Sequence, residues 1–452
     1  MNKLMRILLA LGLILAVAAP AFAEFKFNGY YRLIGYAEEK KTTSDDNETQ
    51  QFIDQRFRAK LTYTLNDNVA VVYFAEIDTP WGEPGKAASS QGGMSDSFAG
   101  GADGVNVETK NVYLDLKFGN TAAQLGIIGV ADNVQSIVAN DDMAAVQVTH
   151  KIDNTALKFA YSKWDENVKN NTTSTVQCDG FFCNDGDNIA ITTTTSGQRD
   201  EWDDFDFYLF EVNQKFSDSF NAGANFYWMD DNRVGEGNNV YFYGLNAAFK
   251  SGDFGIDGFV VAQDGSNEET DVDYTGFAAS AKGTMKIANG DLGLRLIYFT
   301  DDDDDEDQGR WQGFKGQYAF VSENQMQFLC DPYVMNDSKE RYAENDAIGA
   351  GYGLFAAVLS GNHNLPNNLY LKWGAGYYTA LADERDDESS ASREGKTLGY
   401  ELAARIGTKV FEKVDVSLNG SYAGYGSFYD NSAAGDDPDA TYKTYLMVNV
   451  PF

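Results

Sequence analysis

The chain ends Tyr442-Lys-Thr-Tyr-Leu-Met-Val-Asn-Val-Pro-Phe452. Counting back from Phe452, every second residue is apolar or aromatic: Phe452, Val450, Val448 and Leu446, with Thr444 and Tyr442 extending the row. Side chains alternate across a strand, so this row forms one face suited to lipid. A closing strand of a soluble β-protein would show the same alternation, so other segments must decide between the two.

The amino terminus separates them. Lys3 and Arg6 give a charged start, Ile7 to Ala19 is apolar and uncharged, and Ala21-Phe22-Ala23 is a small-x-small cleavage site before Glu24. This reads as a Sec signal peptide over 1–23. The apolar run is about 13 residues, short of the about 20 that a spanning helix needs. The expected mature chain, 24–452, is a single domain. It has no later apolar stretch of transmembrane-helix length, yet it is rich in aromatics (26 Tyr, 30 Phe) and in Gly (44) and poor in Pro (7). Transmembrane barrels escape hydropathy averaging because lipid-facing and lumen-facing residues alternate.

From Glu24 onward, strand-like segments are separated by two alternating kinds of connection. Tight polar turns occur at Asn66-Asp67-Asn68, Gly119-Asn120-Thr121, Asp153-Asn154, Ser217-Asp218-Ser219, Ser251-Gly252-Asp253, Ala288-Asn289-Gly290, Gly361 to Asn367, and Glu412-Lys413. Longer polar loops occupy 38–51, 80–104, 131–142, 165–200, 230–238, 264–271, 301–346, 382–394 and 429–438. The expected fold is all-β: a transmembrane antiparallel barrel of about 18 strands, or 16 if one hairpin is misassigned, with short periplasmic turns and long extracellular loops. A barrel of that size leaves an aqueous channel instead of filling with side chains.

Within strands, Phe25, Phe27, Gly29, Tyr31 and Leu33 oppose Lys26, Asn28, Tyr30 and Arg32; Phe57, Ala59, Leu61, Tyr63 and Leu65 oppose Arg56, Arg58 and Lys60; and Leu398, Tyr400, Leu402, Ala404 and Ile406 oppose Glu401 and Arg405. A basic residue on the lipid face costs about 2–4 kcal/mol at mid-membrane, which turns these bases toward water. Arg32, Arg56, Arg58, Lys60, Arg295, Lys372 and Arg405, with Lys409, are therefore read as a basic ladder lining the pore. Trp164, Tyr227, Trp228, Tyr298, Phe299, Tyr377 and Tyr378 are candidates for interfacial girdles.

The net charge of −33 falls almost wholly in the long loops. Asp301, Asp302, Asp303, Asp304, Asp305, Glu306 and Asp307 form an unbroken acidic run. Three readings stay open: a vestibule that concentrates cations, a weak Ca²⁺ or Mg²⁺ site, or a solvated loop. The spacing is not that of an EF-hand. Apart from such a loop-bound ion, no cofactor is expected, and no nucleotide, haem or nucleic-acid feature occurs.

Loop 131–142 is mildly apolar but carries Asp132, Asp141 and Asp142, which suits a segment folded inward to constrict the pore. The glycine-rich loop 80–104 is its rival and also suits a latch between subunits. Cys178, Cys183 and Cys330 all fall in long loops; in an oxidising compartment Cys178 and Cys183 form the cheaper disulfide, leaving Cys330 over, while the alternative joins two loops. Only two histidines, His150 and His363, are available as general bases, and neither accompanies a plausible serine on the loop rim. No enzymatic activity is expected.

These features resemble those of Gram-negative outer-membrane porins over the whole mature length. The resemblance rests on Phe27-Asn-Gly-Tyr-Tyr-Arg32, on Gly101-Ala-Asp-Gly-Val-Asn-Val-Glu-Thr-Lys-Asn-Val-Tyr-Leu-Asp-Leu-Lys-Phe118 and on the ending at Phe452, and is nearest to trimeric porin-like major outer-membrane proteins of deltaproteobacterial type. It implies a place in the bacterial outer membrane among lipid and lipopolysaccharide, a homotrimer, Phe452 as the signal to the barrel-assembly machinery, and passive diffusion of ions and small hydrophilic solutes with a weak cation preference. A sugar-preferring channel, using Tyr30, Tyr36, Tyr370 and Tyr378 as a slide, is the alternative reading. Another is a structural surface protein that binds divalent cations through its acidic loops.

Overall fold

The computed structural model describes residues 24–39, 49–81, 107–166, 172–177, 188–193, 204–232, 237–268, 272–302, 307–308, 311, 326, 328, 347–348, 350–383, 395–430 and 440–452. Its strands are β1 (Glu24–Glu39), β2 (Thr49–Asn66), β3 (Val69–Pro80), β4 (Glu108–Phe118), β5 (Thr121–Ala131), β6 (Asn140–Ile152) and β7 (Thr155–Glu166). A separate hairpin, β8 (Thr172–Gln177) with β9 (Asn188–Thr193), follows. The chain continues through β10 (Asp204–Lys215), β11 (Phe220–Asp231), β12 (Asn238–Ser251), β13 (Phe254–Asn267), β14 (Val272–Ile287) and β15 (Gly290–Phe299). A two-residue strand, β16 (Asp307–Gln308), pairs in parallel with β14. The last five are β17 (Leu354–Asn364), β18 (Leu369–Thr379), β19 (Thr397–Val410), β20 (Val414–Tyr425) and β21 (Thr441–Pro451).

Without β8, β9 and β16, these strands form a closed antiparallel barrel of 18, each pairing with its neighbours and β21 returning to β1. All eight tight turns expected from the sequence fall between consecutive barrel strands. Asp153, Asn367, Asn368, Phe411 and Glu412 take positive φ there, as do Gly119 and Gly252, matching tight hairpin geometry.

Closure joins the first described strand to the last residue of the chain. Phe452 and Gly29 exchange backbone hydrogen bonds of 3.0 Å in both directions. The Phe452 ring stacks on Phe27 at 5.1 Å and on Phe57 at 5.7 Å, so three strands meet under one aromatic side chain. A Cβ on Gly29 would lie 2.0 Å from the Arg58 carbonyl oxygen, so only glycine fits this seam.

Outward residues such as Leu114, Phe210, Leu245, Leu296, Leu402, Leu418 and Leu446 are exposed apolar side chains on a closed wall. Burying that surface in water-free lipid is what such a wall is for, since a barrel leaves no backbone edge unpaired in the bilayer. Trp228, Tyr298 and Tyr377 face outward, and Trp228 stacks on Tyr208 at 4.6 Å, which in turn lies 5.2 Å from Tyr161. Their sequence neighbours Tyr227, Phe299 and Tyr378 are buried inside, and Trp164 packs against the same interior cluster. Four of the seven candidate girdle residues thus belong to the lumen, because adjacent strand residues point to opposite faces. Leu398 also departs from its expected face. A bulge opposite Tyr378 and Thr379, with Gly399 at φ 142°, turns Leu398 into the buried interior.

One hairpin leaves the wall. β4 pairs with β5 only up to Val112 and Ile127, and β6 with β7 only up to Ala145 and Ser162. Above those rungs β5 and β6 pair only with each other, out to Ala131 and Asn140. The departure begins at Gly126, with φ 136°, where a Cβ would sit 2.3 Å from the Val112 carbonyl oxygen. The hairpin tip, 132–139, is thereby delivered into the barrel.

Candidate functional site: the narrowed lumen

The tip is wound around a single carboxylate. Asp132 accepts hydrogen bonds from the backbone N–H groups of Val134 (2.8 Å), Ser136 (2.7 Å), Val138 (2.7 Å) and Ala139 (2.8 Å). Gln135 and Ser136 adopt left-handed φ values of 64° and 66° to make this compact turn. Burial pushes the Asp132 carboxyl up to about 6, opposed by the N–H donors and assisted by the nearby Glu211 carboxylate.

The tip spans to the far wall. Asn133 donates its N–H to Glu211 on β10 (2.7 Å), and Tyr227 on β11 donates its hydroxyl to the same oxygen (2.9 Å). Lys158 lies 3.3 Å from the other Glu211 oxygen and also donates to the Ala131 carbonyl. Gln135 donates to Asp257 on β13 (3.0 Å) and accepts from Arg295 on β15 (2.7 Å). Val134, Ile137 and Val138 are fully buried in a cluster with Phe205, Phe207, Leu209, Phe242, Val261 and Ile297. Trp311 and Phe328, from the segment after β15, join that cluster; Trp311 packs on Phe242 and Phe299, and Phe328 stacks on Tyr378 at 4.7 Å.

Across β1 to β3 and β18 to β21 the wall is charged. Arg56 pairs with Asp78 (2.6 Å) and Glu76 (3.6 Å), and Arg58 pairs with Glu76. The Arg32 and Arg58 guanidinium carbons lie 5.5 and 5.9 Å from the Tyr30 ring centre. Arg405 pairs with Asp415 (3.2 Å) and donates to the Tyr370 hydroxyl (3.1 Å). Lys443 pairs with Glu38 (3.6 Å). Lys60 and Lys372 occupy inward positions of the same wall, Lys372 beside Arg405 in register.

The sequence-derived ladder is therefore distributed. Arg32, Arg56, Arg58 and Lys60 come together on β1 and β2, Lys372 and Arg405 on β18 and β19, and Arg295 stands apart under the loop tip. Sequence reasoning missed the carboxylates threaded among them. Glu76 and Asp78 sit two residues apart on β3, opposite Arg58 and Arg56, a cross-strand signal visible once strand register is known. Of the loop acids, Asp132 is inside the turn rather than free in the passage. Asp141 and Asp142 lie in β6, and Asp142 takes Asn111 (2.7 Å) and Lys110 (2.9 Å) as partners on the side of the departing hairpin. His150 lies 2.8 Å from the Thr121 hydroxyl, and His363 accepts the Trp373 indole N–H (2.8 Å). Asp303 to Glu306, the three cysteines, residues 82–104 of the rival loop and the side chain of Asp307 lie outside the described residues.

No protein-family model matches the chain, and no curated protein is significantly similar to it in sequence. The closed 18-strand barrel matches the fold of outer-membrane channel structures. It is similar to Pseudomonas aeruginosa OccK2 (OpdF), with a TM-score of 0.57 and 12% identity over 95% of this chain and 98% of that one. It is likewise similar to Acinetobacter baumannii OccAB1 (TM-score 0.55, 14% identity, 96% and 99% covered) and to P. aeruginosa OccK1 (OpdK) (0.56, 12%, 94% and 98%). These TM-scores and coverages establish a shared fold.

Proposed function

We propose that this protein is a passive outer-membrane channel for ions and small hydrophilic solutes. The observation that carries the reading is the inserted tip 132–139, docked on β10 to β15, which narrows a large barrel without filling its charged side. Solutes pass down their gradient along the β1–β3 and β18–β21 wall, filtered by the width of that passage and by its charges. A weak cation preference follows from the acidic extracellular loops and from the pairing of the lumen arginines with carboxylates, which leaves little net positive wall. A homotrimer, as the sequence resemblance implies, belongs to the same proposal. Purified protein in a planar bilayer tests it. Stepwise conductance with a cation-signed reversal potential in a salt gradient is the expected result; a silent bilayer rejects the channel and favours the structural surface role.

A substrate-preferring channel is the second reading. Arg32 and Arg58 flanking Tyr30 form a cationic surface beside an aromatic ring. Among the fold neighbours, OpdK has been solved with vanillate and OccK2 with glucuronate. Concentration-dependent block of the conductance by one small solute, with no block by its analogues, would favour this reading.

A further inference from the structure

Three asparagines stand immediately below the docked tip, on three adjacent strands. Glu211, Asn225 and Gly244 are register partners across β10, β11 and β12, and the next row toward the short turns is Asn213, Gly223 and Asn246. The tip rests on the upper of these rows: Asn133 bonds Glu211, and a Cβ on Gly244 would lie 3.2 Å from a Val134 methyl and 3.4 Å from Asn225 Cβ. In the lower row Gly223 carries no side chain, and Asn213 and Asn246 close over it. A Cβ there would meet their Oδ1 atoms at 2.5 and 2.6 Å.

The amides form a directional chain. Asn225 Nδ2 donates to Asn246 Oδ1 (2.8 Å), and Asn246 Nδ2 lies 3.5 Å from Asn213 Oδ1. At one end Asn225 Oδ1 is buried without a hydrogen-bond partner among the described residues, in a side chain only 6% exposed. A buried, unpaired acceptor is costly and stays so until a donor reaches it. Asn213 and Asn246 themselves are half-buried and reachable from the lumen.

We propose that Asn213, Asn225 and Asn246 form a neutral recognition site for hydroxyl groups of uncharged polyols and sugars passing the narrowing. Each amide offers a donor and an acceptor, as each solute hydroxyl does, so the two sets exchange hydrogen bonds without either carrying charge. The site faces a passage whose other wall is charged, so a neutral solute is held by the amides and a small ion by the opposite side. This inference rests on the channel reading above and names a solute class for it.

The test is block of single-channel current by sorbitol and by maltose, in wild-type protein and in the Asn213→Leu/Asn246→Leu double variant. Heat-modifiable migration of the variant confirms that its barrel is folded. Loss of two such hydrogen bonds should weaken the blocking constant about five- to tenfold, with the salt conductance and reversal potential preserved. The milder Asn225→Ala variant should shift the same constant in the same direction. A conducting protein that neither solute blocks, or that both block equally in wild type and variants, overturns the hydroxyl site while leaving the channel intact. A bilayer silent in salt alone overturns the channel and the site together.

Discussion

The two sides of the lumen are built from the same alternating strands and do opposite things. On β10 to β15, inward residues such as Phe207, Leu209, Phe242, Val261 and Ile297 are apolar and hold a loop. On β1 to β3 and β18 to β21, inward arginines, lysines and carboxylates joined in pairs stand beside smaller buried apolar groups, Ile34, Tyr36, Tyr445 and Met447 on β1 and β21 and Tyr378 and Leu398 on β18 and β19. The first side behaves like the core of a soluble protein, stabilised by burial. The second keeps its charges by pairing them, which fixes side-chain positions more than it adds stability. A pore needs both, one side to hold a constriction still and the other to stay wet.

The largest effect is expected at the charged side's seam. Removing Phe452 deletes the ring that joins β1, β2 and β21, so export should continue while the folded barrel is lost from the outer membrane; normal levels of folded protein would contradict this. Next, Ile137→Asp puts an unpaired charge into the apolar side, and Arg56→Met strips Asp78 of its guanidinium on the other. Both should cost about 3–5 kcal/mol locally, but with different signatures. The first should raise conductance by undocking the tip, and the second should move the reversal potential toward cations with conductance little changed. Equal effects on both quantities would mean that the two sides are not distinct.

Gly126→Val is a smaller perturbation. Its Cβ would collide with the Val112 carbonyl and strain a positive φ, so the hairpin should leave the wall less cleanly and current noise should rise. The smallest expected effect is that of pH. The Asp132 carboxyl is raised to about 6 in the docked loop against an ordinary 3.8. The docked form therefore binds the proton more tightly, and docking gains stability below the ordinary value that is lost as pH rises through 6. Brief conductance fluctuations should become more frequent from pH 4 to pH 7.5 in the native protein, and be flat with pH in Asp132→Asn.

The barrel could be read from local chemistry. Seven of the eight short turns announce themselves by Asn, Asp, Gly or Ser, Glu412-Lys413 being the exception, and Phe452 ends a strand with the right alternation. What could not be read was the interior. Alternation would put Asp204 and Asp206 inside and Phe205 and Phe207 in lipid. The structure does the reverse, burying the two rings beneath the loop while Asp206 accepts the Tyr161 hydroxyl (3.0 Å) and pairs with Lys163 on the outer rim. A strand that is apolar toward both lipid and a docked loop has no period to report. Likewise the inward fold of 131–142 was suggested by its apolar content. The anchors that hold it, Glu211, Asp257 and Arg295, are separated from it by up to 160 positions.

The most direct measurement is the single-channel conductance of a variant in which 133–138 is replaced by two glycines, compared with the native protein at the same salt. With the tip gone and the charged side untouched, conductance should rise while the sign of the reversal potential is kept. An unchanged conductance would show that the docked tip does not limit the passage.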